Sequence, residues 1–184
     1  MTKTSNVKAD FVQPIFILTV ICLICALLLA SINSVTRPII DATEARIAEE
    51  ARSEVLPDSG GFDLLDVTLP DDSFVTEVYK AANGSGYVFM ITGNGYGGKG
   101  TMKLITSVDP DGNIIATKTL SHSETAGMGS KTADEPWRAQ FVGVNADSLD
   151  SVDTISGATI SSTHYLNSMR SVFEAYDAVK EAGL

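Results

Sequence analysis

Between residues 15 and 32 the chain runs for 18 positions without a charge, and nearly all of them are apolar. At ~1.5 Å of rise per residue such a helix spans ~27 Å, close to the ~30 Å hydrocarbon core of a bilayer. The flanking residues lengthen it comfortably, so a transmembrane helix is expected over residues 11–34, after a short amino-terminal segment at residues 1–10. A cleaved signal peptide is the alternative. Its apolar region is usually ~7–15 residues long and ends in a small-x-small site, whereas Leu28-Leu29-Ala30-Ser31-Ile32-Asn33 offers a poor one. A lipoprotein signal needs a small residue before its cysteine, and Ile21 and Ile24 precede Cys22 and Cys25.

Beyond the apolar run the period changes. Pro38 follows it, and residues 39–56 have helical composition, with Ile40, Ile47, Ala48, Ala51 and Val55 as candidate buried positions, until Pro57 and Gly60-Gly61. Residues 35–60 are therefore expected to be a helical linker, and residues 61–184 a compact domain. Short apolar and β-branched runs at 62–69 and 74–81 read as strands. Residues 87–92, continuously apolar, suggest a strand covered on both faces. Residues 101–108 alternate, the turn Asp109-Pro110-Asp111-Gly112 reverses the chain, and 113–120 return as the partner strand. A polar loop holding His122, Glu124, Thr125 and Gly127 comes next, then a short helix at 134–141 with Pro136 tolerated in its first turn. The last element is a helix over about 160–182, whose buried face is Tyr165, Met169, Val172, Phe173, Tyr176 and Val179 at helical spacing. The fold class is α+β, a mainly antiparallel sheet packed by helices.

Charge divides along the same line. Lys3, Lys8 and Arg37 against Asp10 leave residues 1–37 at +2, and the chain total of −10 then puts −12 on residues 38–184. Such a domain is a poor partner for nucleic acid. The basic residues before the apolar run favour an amino terminus in the cytoplasm and a domain outside it. Both cysteines lie inside the apolar run, where cysteine serves as a small hydrophobe. The domain thus has neither a disulfide framework nor cysteines for an iron–sulfur cluster. Two histidines, His122 and His164, are too few for a three-histidine metal site.

The chemistry-bearing stretch is Asp153-Thr154-Ile155-Ser156-Gly157-Ala158-Thr159. Ser156 and Gly157 read as a turn, and the amphipathic helix starts after Thr159. Taken alone, Thr159 is an N-cap. Equally, it is a hydroxyl where unpaired N–H groups and the helix dipole favour an anion. Spacing alone does not select the ligand.

The stretch Asp153-x-x-Ser156-Gly157-Ala158-Thr159 resembles the attachment motif of the covalent FMN-binding domain family. Upstream, Gly95-Tyr96-Gly97-Gly98, the paired strands and the loop His122-x-Glu124-Thr125-x-Gly127-Met128-Gly129 follow in the order of that domain, as do Trp137, Phe141 and Gly143. Ala126 stands where the family usually has proline. The resemblance spans roughly residues 85–175.

It implies FMN bound covalently through its phosphate to Thr159, transferred from FAD by a dedicated flavin transferase. Ser156, Gly157, Ala158, His122, Glu124, Thr125 and Gly127 are the further cofactor-binding candidates. His122 is expected to make a loop-organising hydrogen bond, and Glu124 and Thr125 to hold the loop or touch the flavin edge. Glycines 95, 97 and 98 serve either positive φ or close approach to the cofactor. Lys99, Lys103, Lys131 or Arg170 could offset the acidic charge near the phosphate, and His164 is expected to face water.

Two bacterial membrane complexes use this domain, the Rnf ferredoxin:NAD+ oxidoreductase and the sodium-translocating NADH:quinone reductase. The compact length resembles the Rnf type. The resemblance thus implies an electron-transfer role and membrane partners that include a second covalent-FMN subunit and iron–sulfur subunits. A membrane-anchored, non-redox anion-binding module is the rival.

Overall fold

The computed structural model describes residues 7–70 and 72–183. Lys3, part of the charge asymmetry above, and most of the amino-terminal segment lie outside the described residues. Contacts divide the chain into two units, Met1–Arg46 and Ile47–Leu184.

Helix α1, Val7–Val55, begins in the first unit and ends in the second. From Val12 to the end of the first unit every side chain is exposed. Its most apolar 18-residue window has a mean hydropathy of 3.1, so α1 is long and apolar enough to cross a membrane. The helix runs unbroken through the apolar run and most of the expected linker, although it carries both Pro14 and Pro38 in its interior. A proline there removes one backbone donor and costs ~3 kcal/mol. The strong helix formers that follow, Ala42, Glu44, Ala45, Ala48, Glu49 and Glu50, carry the helix on.

The second unit is built on a five-stranded antiparallel meander in chain order. Its strands are β1 Phe62–Leu65, β2 Val75–Ala81, β3 Tyr87–Gly95, β4 Gly98–Val108 and β5 Ile114–His122. β1 stops at Leu65, short of the expected residue 69, where Asp66 interrupts the apolar pattern; Val67 and Leu69 still pack on the core. β3 and β4 run on into the glycines expected as a loop, leaving Tyr96-Gly97 as a hairpin tip. At the β4–β5 turn Asp109 Oδ1 accepts the N–H groups of Asp111 (2.9 Å) and Asn113 (2.8 Å). Burial opposes ionisation of that carboxylate, but the donors of Asn113, Asp111 and Gly112 outweigh it and hold its pKa below the ordinary value.

β3 is covered on both faces, as its unbroken apolar run implies. Phe89 and Ile91 meet helix α3, Thr159–Glu181, and all six expected face residues of α3 are buried there. On the opposite face Val88 and Ile105 meet Ala51, Val55 and Leu56 at the carboxyl end of α1. Ser107 Oγ donates to the Val55 carbonyl (2.6 Å), the Arg52 guanidinium lies 4.3 Å from the Tyr79 ring centre, and Lys118 pairs with Glu54. Ile47 and Ile40, expected to be buried, remain 40% and 45% exposed. Burial of α1 in the second unit is confined to its last turns, where the sheet offers a surface. The expected helix at 134–141 is a short α2, Glu135–Arg138, continued as a 3-10 turn, Ala139–Phe141.

One polar string crosses the core. Tyr165 Oη and Thr117 Oγ1 are hydrogen-bonded at 2.9 Å, and Thr117 is bonded to Thr106 at 2.9 Å. Burial pushes the Tyr165 hydroxyl up to about 12, against the smaller opposing effects of Thr117, Arg138 and Thr119. The folded protein therefore keeps a proton that the unfolded chain releases above pH 10, so stability falls from pH 10 to about 12. We expect Tyr165→Phe to flatten that decline by up to about 3 kcal/mol. Urea unfolding of the detergent-solubilised chain at stepped alkaline pH measures it.

Candidate functional site

Three segments converge at one end of the sheet: the β3–β4 tip, the loop after β5, and the residues leading into α3. The last of these is held from both sides. Trp137 Nε1 donates to the Asp153 carbonyl (2.7 Å), and Trp137 packs edge-on against Tyr165 and Phe141, with ring centres 5.0 and 5.2 Å away. Ser162 Oγ, fully buried, accepts the Ile155 N–H (3.1 Å) and donates to the Ala158 carbonyl (2.7 Å). Between these anchors Ile155–Ala158 closes a turn through an Ala158 N–H to Ile155 carbonyl bond of 2.9 Å, with Gly157 at φ +82°. Positive φ at that turn position is what glycine supplies without strain.

Thr159 is not the N-cap that spacing suggested. It is the first residue inside α3, and the cap position falls on Ala158, whose side chain has nothing to offer. Among the described residues, the N–H groups of Thr159, Ile160 and Ser161 and the exposed Thr159 hydroxyl have no hydrogen-bond partner. The neighbouring hydroxyls are occupied, because Ser162 is bonded as above and Ser161 Oγ donates to Glu124 Oε2 at 2.5 Å.

Glu124 is the junction of the site. Its Oε1 accepts the Tyr96 N–H at 2.8 Å, while Oε2 holds Ser161. Of the three glycines at the tip, only Gly98 has positive φ. Gly95 is required by close approach, but to the protein: a Cβ there would sit 2.1 Å from Glu124 Oε1. His122 Nδ1 accepts the Glu124 N–H (3.3 Å), the loop-organising role expected of it. Gly127, at φ +76°, donates its N–H to Ser130 Oγ (2.9 Å) and shapes the same loop.

A cleft of about 370 Å³ opens between the three segments. Of the cofactor-binding candidates named from the sequence, Thr159, Gly157, Ala158, Glu124 and Thr125 line it, and Ser156, His122 and Gly127 lie outside its lining. Tyr96, Met128 and Gly129, part of the two loops that carry the resemblance but not named as cofactor-binding candidates, also line it, as does Ile160, which the sequence pattern did not single out. Tyr96, Met128 and Ile160 are 66%, 53% and 54% exposed, so their side chains are open at the cleft. No basic residue lines this cleft. Lys99 and Arg170 border a separate open cleft, and Arg170 is held by Asp150 and Asn167, each at 2.6 Å. His164, expected in water, is half-buried.

These residues fit a flavin mononucleotide. The uncapped turn of α3 offers three free N–H donors and a dipole end to a phosphate, and the exposed apolar side chains offer a platform for a flat ring. The cleft's size is within the ~300–1,000 Å³ of small-molecule sites.

Comparison with known proteins agrees. Residues 95–174 match the family model of the FMN-binding domain. Over most of its length it is a homologue of the G subunits of ion-translocating oxidoreductase complexes. It is 28% identical to such a subunit of Methanosarcina acetivorans, covering 92% of this chain and 96% of the relative. It is 27% identical to the G subunit of the proton-translocating ferredoxin:NAD(+) oxidoreductase complex of Clostridium ljungdahlii, over 79% of this chain and 80% of that one. The corresponding subunit of the Na(+)-translocating complex of Acetobacterium woodii is 27% identical, over 87% and 88%. These relatives and the exposed apolar helix together point to membrane association.

Ser162 holds the turn through two bonds inside the fold, so Ser162→Ala leaves the half-buried Ile155 N–H without its acceptor. We expect a loss of about 1–3 kcal/mol in urea unfolding, with faster proteolytic cleavage between residues 153 and 159.

Proposed function

We propose that this chain is the membrane-anchored electron-transfer flavoprotein of an ion-translocating ferredoxin:NAD+ oxidoreductase complex, with FMN joined to Thr159 through its phosphate. The observation that carries the covalent reading is the exposed, unbonded Thr159 hydroxyl at the mouth of an uncapped helix, inside an FMN-binding domain. FMN supplies one- and two-electron chemistry when bound. The chain supplies position: the first-turn N–H groups would hold the phosphate, and Tyr96, Met128 and Ile160 would flank the ring.

In this reading a flavin transferase acts on the chain. Thr159 Oγ1 forms a P–O bond to the FMN phosphate as the pyrophosphate bond of FAD breaks; AMP leaves and the hydroxyl proton passes to solvent. Ser156, Gly157 and Ala158 present that hydroxyl, while His122, Glu124, Thr125 and Gly127 shape the opposing wall. Lys3 and Lys8 favour an amino terminus in the cytoplasm, with residues 61–184 on the extracytoplasmic side of the cell membrane. Partners are the other membrane subunits of the complex, including a second covalent-FMN subunit and iron–sulfur subunits.

The wild-type chain, coexpressed with a flavin transferase, is expected to give a flavin-fluorescent band on a denaturing gel near its mass of 19.5 kDa. Thr159→Ala abolishes the band and Thr159→Ser retains part of it. A fluorescent Thr159→Ala band refutes the attachment, and a dark wild-type band favours reversible anion binding at the same helix end.

A further inference from the structure

We infer that Glu124 is a positioning residue that holds the two walls of the flavin cleft together by tying the β3–β4 tip to the first turn of α3. This deepens the reading of the cleft proposed above and rests on it. Both carboxylate oxygens are committed to the protein, Oε1 to the Tyr96 N–H at 2.8 Å and Oε2 to the Ser161 hydroxyl at 2.5 Å. Hydrogen bonds to an ionised acceptor are roughly twice as strong as neutral ones.

Two glycines on different segments leave the room for it. A Cβ at Gly95 would lie 2.1 Å from Oε1, and one at Gly129 would lie 2.2 Å from Oε2 and 2.6 Å from Ser161 Oγ. The chain thus gives up a side chain at two positions around a single carboxylate.

Of the parts it joins, the entry to α3 is fixed by Trp137 and Ser162, whereas the tip projects beyond the sheet. The tip is two residues beyond the ladder, and the first turn of α3 has no cap. Loops of that kind move on the nanosecond to microsecond scale unless tied. Tyr96 stands on one piece, Thr159 and Ile160 on the other, and all three line the cleft. Loss of the tie therefore lets the wall that carries Tyr96 move against the anchored wall that carries Thr159 and Ile160.

Glu124→Ala removes both arms. Glu124→Gln removes the charge but keeps an oxygen for Tyr96 and an amide N–H for Ser161, whose hydroxyl can accept as well as donate. The test uses the full-length chain, flavin-loaded and in detergent. Flavin loading of each variant is read on the denaturing gel, and the optical readouts are compared per bound flavin. In Glu124→Ala the fast-depolarising fraction of the flavin fluorescence anisotropy should rise about twofold or more, and the visible flavin circular dichroism should fall by about half. Glu124→Gln should follow the wild type in both.

Amide exchange at residues 93–101 gives a readout that needs no flavin, and Glu124→Ala should speed it about tenfold. Wild-type anisotropy and exchange in Glu124→Ala overturn the inference. So does Glu124→Gln reproducing every change of Glu124→Ala, which assigns the effect to charge on the flavin. If Glu124→Ala fails to fold by far-ultraviolet circular dichroism, Gly129→Ala intrudes on the same cradle and Ser161→Ala removes one arm. Wild-type behaviour in both overturns the inference as well. A dark wild-type gel band sinks the attachment reading alone, with the tie still decided by exchange.

Discussion

Everything at the site follows from the burial of one face of α3 against the sheet. Tyr165, Met169, Val172, Phe173, Tyr176 and Val179 seat the helix on β3 and its neighbours, and once seated its amino end can point only to the end of the sheet that carries the β3–β4 tip and the loop after β5. Trp137 and Ser162 then fix the entering chain from the two sides, one through the Asp153 carbonyl and one through the Ile155 and Ala158 backbone. A helix anchored so firmly along its length can leave its first turn without a cap. The missing cap is a modest loss of stability, on the order of 1 kcal/mol, and it leaves donors free for a ligand.

Much of this was legible in the residues alone, and the reasons are periodicity and turn chemistry. The α3 face was readable because six apolar residues recur at helical spacing, and β3 because an unbroken apolar run needs cover on both sides. Asp109-Pro110-Asp111-Gly112 was readable because aspartate and glycine there have specific backbone jobs. What escaped was set by tertiary contact. Pro38 disfavours a helix locally, yet the helix runs through it. Ile40 and Ile47 fit a buried stripe, yet the sheet surface covers only Ala51, Val55 and Leu56. Thr159 looks like a cap, and only the turn geometry around Gly157 moves the cap position to Ala158 and frees the hydroxyl. The junction at Glu124 joins residues 28 and 37 positions away, and nothing local announces such a pairing.

The electrostatics of the cleft fit a site that does not depend on affinity alone. The domain is acidic, the cleft lining has no lysine or arginine, and Arg170 on α3 is engaged with Asp150 and Asn167. Within the lining, the backbone dipoles of the first turn of α3 are what oppose the field that an anionic cofactor meets on approach. On the reading proposed, a cofactor in so open a cleft would be held weakly by noncovalent contacts, and a bond to Thr159 would remove the need for affinity.

The carboxyl end of α1 has a bearing on how the domain can be handled apart from its apolar segment. Ala51, Val55 and Leu56 are part of the sheet's packed face, and the Val55 carbonyl is the acceptor for the buried Ser107 hydroxyl. A soluble fragment therefore has no loop at which to begin. Its first residue must fall within a helix upstream of Ala51, where the opening amides lose the carbonyls that served them. Fragment design becomes a matter of replacing a severed helix with a new start, such as an added serine or aspartate cap, rather than of finding a domain boundary.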